Sequence, residues 1–266
     1  MALEIVVMVK QVPDSQEVVI DPVTMNLNRS LTRNVTNKAD ENALEAALQL
    51  RDEVGGHVTV VSMGPPQAES TMIECLARGA DRAILVSDRF FGGADTYPTG
   101  LTVASAISKL EKVDVIFAGE ESSDSSTGHV GPGVAEFLGM EQATYVSSVK
   151  YADGFIIAER ELEDGTEVIK MPTPVLLTIL LNANVPRRQT LKRKIAATKQ
   201  GYEVWNLEKL GMPPEWVGVR GSPTIVRKMR PIKEKERAAK RFEIDQIPDL
   251  VRELFEIGAL KLEEMQ

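Results

Sequence analysis

Between residues 5 and 139, buried-looking apolar runs alternate with amphipathic runs, and this alternation constrains the chain more than any other feature. Residues 5–9, IVVMV, are continuous, apolar and mostly β-branched, as in a strand covered on both faces. Residues 37–52, NKADENALEAALQLRD, place Ala43, Leu44, Ala47 and Leu48 at helical spacing, and Asn37 or Asp40 is positioned to cap the start. A second strand is expected at residues 58–62, entered through glycines. The unit then recurs. PPQAESTMIECLARGA reads as a helix stopped by Gly79, DRAILVSD as a strand, TYPTGLTVASAISKLEK as a helix, VDVIFAG as a strand and GHVGPGVAEFLG as a helix. Strands separated by helices pair in parallel through right-handed crossovers. The predicted class is α/β: a mostly parallel sheet with helices on both faces.

After Gly139 the pattern changes. Asp153-Gly154 and Asp164-Gly165 lie between β-rich runs and signal hairpins, so an antiparallel meander is expected on the sheet edge. TPVLLTIL, residues 173–180, reads as one more buried strand. DPVTMNLNRS, from Asp21, reads as a turn with a short edge hairpin. From residue 186 the chain turns basic and then proline-rich, with four prolines and little periodicity in GMPPEWVGVRGSPTIVRKMRP. A long stretch of this kind is unusual inside a compact domain. It divides the chain into an α/β domain over residues 1–185 and a docking loop with a C-terminal arm over residues 186–266. The arm ends in an amphipathic helix with Leu250, Val251, Leu254 and Phe255 on one face.

Several functions are disfavoured at once. A formal net charge of −8 argues against a nucleic-acid partner. One cysteine, Cys75, allows no intrachain disulfide and no cysteine-based metal site, and its helical setting marks it as a small buried residue. The short, interrupted N-terminal apolar run does not read as a signal peptide, and no run reaches the length of a membrane span. A cytoplasmic location is expected, with no membrane-spanning segment. No Ser-His-Asp set and no H-E-x-x-H occurs, so a bound cofactor is expected to carry any chemistry.

Ligands of an open parallel sheet bind at the carboxyl ends of the strands. Four loops lie there: KQVPD, MGPP, SDRFFGGADT and AGEESSDSSTGHVGP. Neither G-x-G-x-x-G nor G-x-x-x-x-G-K-[ST] is present, which disfavours a standard dinucleotide fingerprint or P-loop. A phosphate still needs unobstructed backbone N–H groups, hydroxyl donors and a helix N-terminus. Ser125, Ser126, Thr127 and Gly128 supply these before one helix; Gly92, Gly93, Asp95 and Thr96 supply them before another. The plain alternative is a pair of ordinary capped loops. His129 lies in the first loop, where it could donate to a phosphate or a ring atom; His57 reads as structural.

The chain resembles the β subunit of electron transfer flavoprotein nearly end to end. The resemblance rests on the order and spacing of VKQVPD, IDPVT, NKADENALEAALQLRDE, VTVVSMGPP, CLARGADRAILVSD, DSSTGHVGPGVAEFLG and NVPRRQTLKRKIAATK. It implies a Rossmann-like, adenine-nucleotide-binding α/β domain, with an arm that embraces an α subunit carrying its own FAD. In the family's housekeeping type the β subunit holds AMP, and the α-subunit FAD relays electrons from acyl-CoA dehydrogenases. In the flavin-bifurcating type it holds a second FAD. SDRFFGGADT, SMGPP and IDPVT are similar to the bifurcating group, so FAD is expected here. NADH would then be the transient donor, with ferredoxin as one acceptor and an acyl-CoA dehydrogenase or quinone oxidoreductase as the other.

Carried over residue by residue, the resemblance places Met8 near the adenine, Asn37 and Asp40 at the ribose or adenine, and Met63 on the pocket wall. Asp95 and Thr96 would face the pyrophosphate or flavin. Asp124, Ser125, Ser126, Thr127, Gly128, His129 and Val130 would wrap the phosphates, and Leu191 would be the apolar tip of a loop that docks partner dehydrogenases. Three places depart from the family's pattern: Lys38-Ala39 follows Asn37 where Pro and an aromatic are usual, Glu120-Glu121 replaces a basic residue with Gln, and His129 replaces Gln. The lost basic residue removes one charge that would favour a reduced flavin. Two rival readings remain at this stage: a stand-alone ATP- or AMP-binding stress-type module, and a structural partner with a vestigial pocket.

Overall fold

The computed structural model describes residues 2–14, 33–225 and 239–260 of the 266. The expected hairpin at DPVTMNLNRS lies outside the described residues. The chain divides into two compact units, Met1–Met229 and Arg230–Gln266.

The first unit follows the alternation. Its elements begin with β1 (Leu3–Met8), β2 (Gln11–Pro13), β3 (Asn34–Thr36), α1 (Lys38–Val54) and β4 (Gly56–Met63). They continue through α2 (Glu69–Arg78), β5 (Arg82–Val86), α3 (Thr96–Ile107), β6 (Val115–Gly119) and α4 (Val130–Leu138). Then come β7 (Glu141–Ala152), β8 (Phe155–Leu162), β9 (Gly165–Pro172), β10 (Val175–Ile179), α5 (Leu191–Gln200), β11 (Glu203–Trp205), α6 (Leu207–Leu210) and α7 (Gly218–Gly221). The second unit contains α8 (Ile247–Glu256).

The main sheet has the order β11-β5-β4-β1-β6-β10-β7-β8-β9. Every pair from β11 to β7 is parallel, and the two pairs from β7 to β9 are antiparallel. Alternate residues of β1 face opposite sides. Leu3, Ile5 and Val7 join a core layer with Leu44, Leu48, Met72 and Cys75, whereas Val6 and Met8 join one with Val103, Ile107 and Val134. Burying each such aliphatic side chain stabilises by roughly 1.5–3 kcal/mol. The stripe expected on α1 is fully buried, and burial pushes the Cys75 thiol up, leaving it an inert core residue. Gly79 ends α2 at φ +129, its N–H bonded to the carbonyls of Cys75 and Leu76.

The meander forms with both expected turns, Asp153 and Gly154 taking φ of +52 and +84. It does not attach where sequence order would put it. β10 slots between β6 and β7, parallel to both. All five of its residues are buried, so an apolar run that long requires a strand on each side. Three elements differ from expectation beyond residue 186 and in α3. α3 stops at Ile107 instead of running through KLEK. The basic segment forms helix α5, unpredicted from its sequence, with Thr190 capping the Arg193 N–H. β11 then joins the sheet beside β5.

Candidate functional site

Strand β1 is the topological switch. The chain leaves it toward β4 and β5 on one side, then crosses to β6 on the other. Connections therefore diverge above the carboxyl ends of β1 and β6, where a sheet of this kind places its crevice. Asp40, in the first turn of α1, closes its floor. Its Oδ2 accepts from the Lys10 N–H at 2.7 Å and its Oδ1 from the Gly119 N–H at 3.1 Å. Burial pushes the Asp40 carboxyl up to about 7, against the opposing pull of the Asn37 amide and the two backbone N–H groups. The approach is close enough to require glycine at 119, because a Cβ there would lie 2.4 Å from Asp40 Oδ1.

Asn37 occupies the N-cap position of α1 but makes no side-chain cap bond, contrary to the sequence expectation. Its Nδ2 donates to the Glu121 carbonyl at 2.8 Å, and its Oδ1 accepts from the Ser123 N–H at 3.1 Å. The reason is competition. Loop backbone groups within its reach are satisfied by this amide, which is 2% exposed. Asp40 also does not cap, since both its oxygens are engaged at the crevice floor.

The loop between β6 and α4 is folded by its own hydroxyls. The N–H groups of Ser125 and Ser126 donate to the Ser122 carbonyl, and the hydroxyls of Ser122 and Ser125 lie 2.8 Å apart. Ser126 and Gly128 take the left-handed φ values of +44 and +62. The backbone N–H groups of Thr127, Gly128, His129 and Val130 have no partner among the described residues. They sit at the N-terminus of α4, whose dipole adds positive potential. Helix α4 lies hard against the sheet, since a Cβ on Gly131 would be 2.9 Å from Thr178 Cγ2.

Lys10, one residue past Val9 at the end of the first strand run, reaches across the crevice to this loop. Its ammonium donates to Asp124 Oδ1 at 2.6 Å, Ser122 Oγ at 3.1 Å and Ser125 Oγ at 3.3 Å. Partial burial raises the Asp124 carboxyl, and the Lys10 and Ser122 bonds outweigh it, so the group stays below the usual carboxylate range. Sequence reasoning missed Lys10 as a site residue. Its position directly after the central strand of a parallel sheet was the available signal. The neighbouring carboxylate of Glu120 turns away, accepting from the Leu181 N–H at 2.8 Å.

The second glycine-rich loop is arranged differently. Asp95 caps α3 through the Tyr97 N–H, and its other oxygen accepts from the Thr224 N–H at 3.0 Å and hydroxyl at 2.7 Å. The Asp95 N–H donates to Ser222 Oγ at 2.9 Å, and the Val219 N–H to the Gly92 carbonyl at 3.2 Å. A Cβ on Gly93 would meet Val219 Cγ2 at 2.5 Å. The chain's own segment 217–225 therefore lies on Gly92, Gly93 and Asp95, with Thr96 beginning α3 beside them. Three strand spacings separate β5 from β6, about 14 Å.

The remaining expected residues fall into two places. Met8 and Met63 end β1 and β4 on the α3 and α4 side of the sheet. Leu191 opens helix α5, on the opposite side, and is 76% exposed. It lies on a helix start, not in a loop. The basic residues before it are partly anchored: Arg187 pairs with Glu45 and Asp52, both at 2.9 Å. No helix among the described residues is long and apolar enough to cross a membrane.

Residues 24–209 match the family model described as the electron transfer flavoprotein domain. That span covers more than half of the chain. This chain belongs to the electron transfer flavoprotein family. It is similar along most of its length to chains of the β-subunit type. It is 46% identical over 226 residues to the electron transfer flavoprotein subunit beta of Clostridium acetobutylicum, covering 85% of this chain and 87% of that one. It is 45% identical over 225 residues to subunit CarD of the caffeyl-CoA reductase-Etf complex of Acetobacterium woodii, covering 84% and 86%. It is 41% identical over 235 residues to protein FixA of Sinorhizobium fredii, covering 85% and 82%. A role as a β-type subunit in electron transfer follows from this membership.

Proposed function

We propose that the chain holds FAD on the rim above β1 and β6, as the β subunit of a heterodimer with an electron transfer flavoprotein α subunit. One observation carries the reading: four successive N–H groups, from Thr127 to Val130, lie unpaired at a helix N-terminus beside the switch point. This is the donor set that a diphosphate requires, and it needs no fingerprint sequence. The residues of the β6 loop and the β1 end fit the phosphate and adenine side of the group. Thr127, Gly128, His129 and Val130 would hold phosphate oxygens, Met8, Met63 and Asn37 would border the adenine and ribose, and Asp95 and Thr96 would lie toward the flavin.

The bound flavin supplies the redox chemistry. This chain's contribution is to bind and orient it, to exclude water, and to set the charge around it. In the assembled heterodimer, electrons would enter from NADH and leave to ferredoxin and to an acyl-CoA dehydrogenase or quinone oxidoreductase. The relationship to a subunit of a caffeyl-CoA reductase-Etf complex supports this electron-bifurcating reading. Leu191, exposed at the start of α5, would be the docking tip for the dehydrogenase.

A second reading places AMP at the same loop, with electrons carried by the α-subunit FAD alone. The covering of Gly93 and Asp95 by segment 217–225 favours it, because that end of the rim is filled by the chain itself. Nucleotide extraction from the co-purified heterodimer decides between them. Two FAD per heterodimer supports the first reading, one FAD with one AMP supports the second, and one FAD with no second nucleotide removes both.

A further inference from the structure

We propose that Lys10 is the residue that makes the β6–α4 loop selective for phosphate, by neutralising Asp124 rather than by binding the anion itself. The inference rests on the nucleotide reading above and adds to it a charge mechanism. The loop that is to receive an anion carries Glu120, Glu121 and Asp124 within five residues. Asp124 stands closest to the unpaired N–H groups in sequence, and a bare carboxylate there would repel any phosphate placed on them. Lys10 is the cation that meets it.

The geometry favours neutralisation over direct ligation. An ammonium has three donors, and all three find acceptors in this loop: Asp124 Oδ1, Ser122 Oγ and Ser125 Oγ. The amides of residues 127–130 are left free. The stem of Lys10 is also fixed at its root. Its N–H donates to Asp40 Oδ2 at 2.7 Å and its carbonyl accepts from the Asn37 N–H at 2.9 Å. The start of α1 thus fixes the backbone from which the ammonium reaches the loop. Stability is a poor explanation for the pair, since the two side chains are 43% and 28% exposed and such pairs contribute little to folding. What the pair alters is the potential at the mouth of the crevice.

The test uses the complex with its α subunit, stripped of nucleotide and titrated calorimetrically with ADP, AMP and adenosine. All variants share the same α subunit, so its own contribution is constant. Lys10→Met should lower ADP affinity by about tenfold or more, AMP affinity less, and adenosine affinity little. A merely structural role would lower all three alike. Lys10→Arg should retain most of the affinity. Asp124→Asn should bind ADP several-fold more tightly than the unsubstituted complex. The double variant should return to within about threefold of it, because the two charges couple.

Unchanged ADP binding in Lys10→Met would overturn the proposal. So would a double variant as weak as Lys10→Met, which would make Lys10 a direct phosphate ligand. If Lys10→Met does not fold, Asp124→Asn decides alone: tighter ADP binding supports the mechanism, and equal or weaker binding removes it. An unsubstituted complex that binds neither ADP nor AMP beyond its α-subunit site would instead remove the nucleotide reading.

Discussion

The two loops at the rim, above β6 and above β5, each bring small residues to the start of a helix, and the rest of the chain treats them differently. Above β1 and β6, the chain supplies the floor through Asp40 and Gly119 and leaves a row of N–H groups without partners among the described residues. Above β5, segment 217–225 already takes the hydrogen-bonding capacity of Asp95 and fills the space beside Gly93. A serine- or glycine-rich loop before a helix is thus a donor set that several partners can satisfy. Whether a ligand or the chain itself satisfies it depends on what the rest of the fold brings near. On the proposed reading, the β6 loop would anchor the phosphate, and the β5 loop would be a second wall whose opening distinguishes a dinucleotide from a mononucleotide.

The largest expected effect probes the floor of the first end. Gly119→Ala forces a Cβ to within 2.4 Å of Asp40 Oδ1 and 2.7 Å of the Ala39 carbonyl carbon. It should destabilise the protein by roughly 3 kcal/mol, measured by denaturant unfolding, and should release nucleotide. A near-neutral result would mean that the floor is soft and that the two ends are alike in this respect.

Next comes the pH dependence of the same floor. The Asp40 carboxyl is raised to about 7 in the fold, so the folded chain holds this proton more tightly than the unfolded chain. Stability from this group is therefore fully present below the ordinary carboxylate range and is lost as pH rises toward 7. Between pH 5 and 7 the loss should be about 2 kcal/mol. Asp40→Asn should abolish that slope, read as the difference between variant and unsubstituted unfolding free energies across the window. Parallel pH profiles for the two proteins would show that Asp40 does not titrate in this range.

The smallest effect tests the second end. Asp95→Ala removes the cap of α3 and the Thr224 tie, at a cost of about 1–2 kcal/mol. If the β5 loop is an optional wall, AMP affinity should be unchanged while FAD affinity falls. Equal loss of both would merge the two ends into one site.

Much of the fold was legible because its signals are local. The alternation in residues 5–139 dictated parallel strands with helices between them, and Asp153-Gly154 and Asp164-Gly165 dictated the hairpins. The candidate loop was legible for the same reason: a hydroxyl- and glycine-rich run between a buried strand and a helix needs no distant partner to be noticed. Helix α5 was not, because Arg187, Arg188, Lys192, Arg193 and Lys194 give no apolar stripe; Ala197 is its one buried residue. Lys10 was passed over because nothing in its neighbours marks a partner 114 residues away.

The residue pattern by itself determined the class of sheet, the meander turns and the presence of a hydroxyl- and glycine-rich loop before a helix, since each follows from periodicity or from a backbone preference within a few residues. Tertiary structure alone decided that β10 enters between β6 and β7, that Asn37 serves the loop and not its helix, that Lys10 faces Asp124, and that segment 217–225 covers Asp95. These are choices among partners far apart in the chain. Which buried polar group meets which is fixed when the strands are ordered, and strand order is a property of the whole packed sheet.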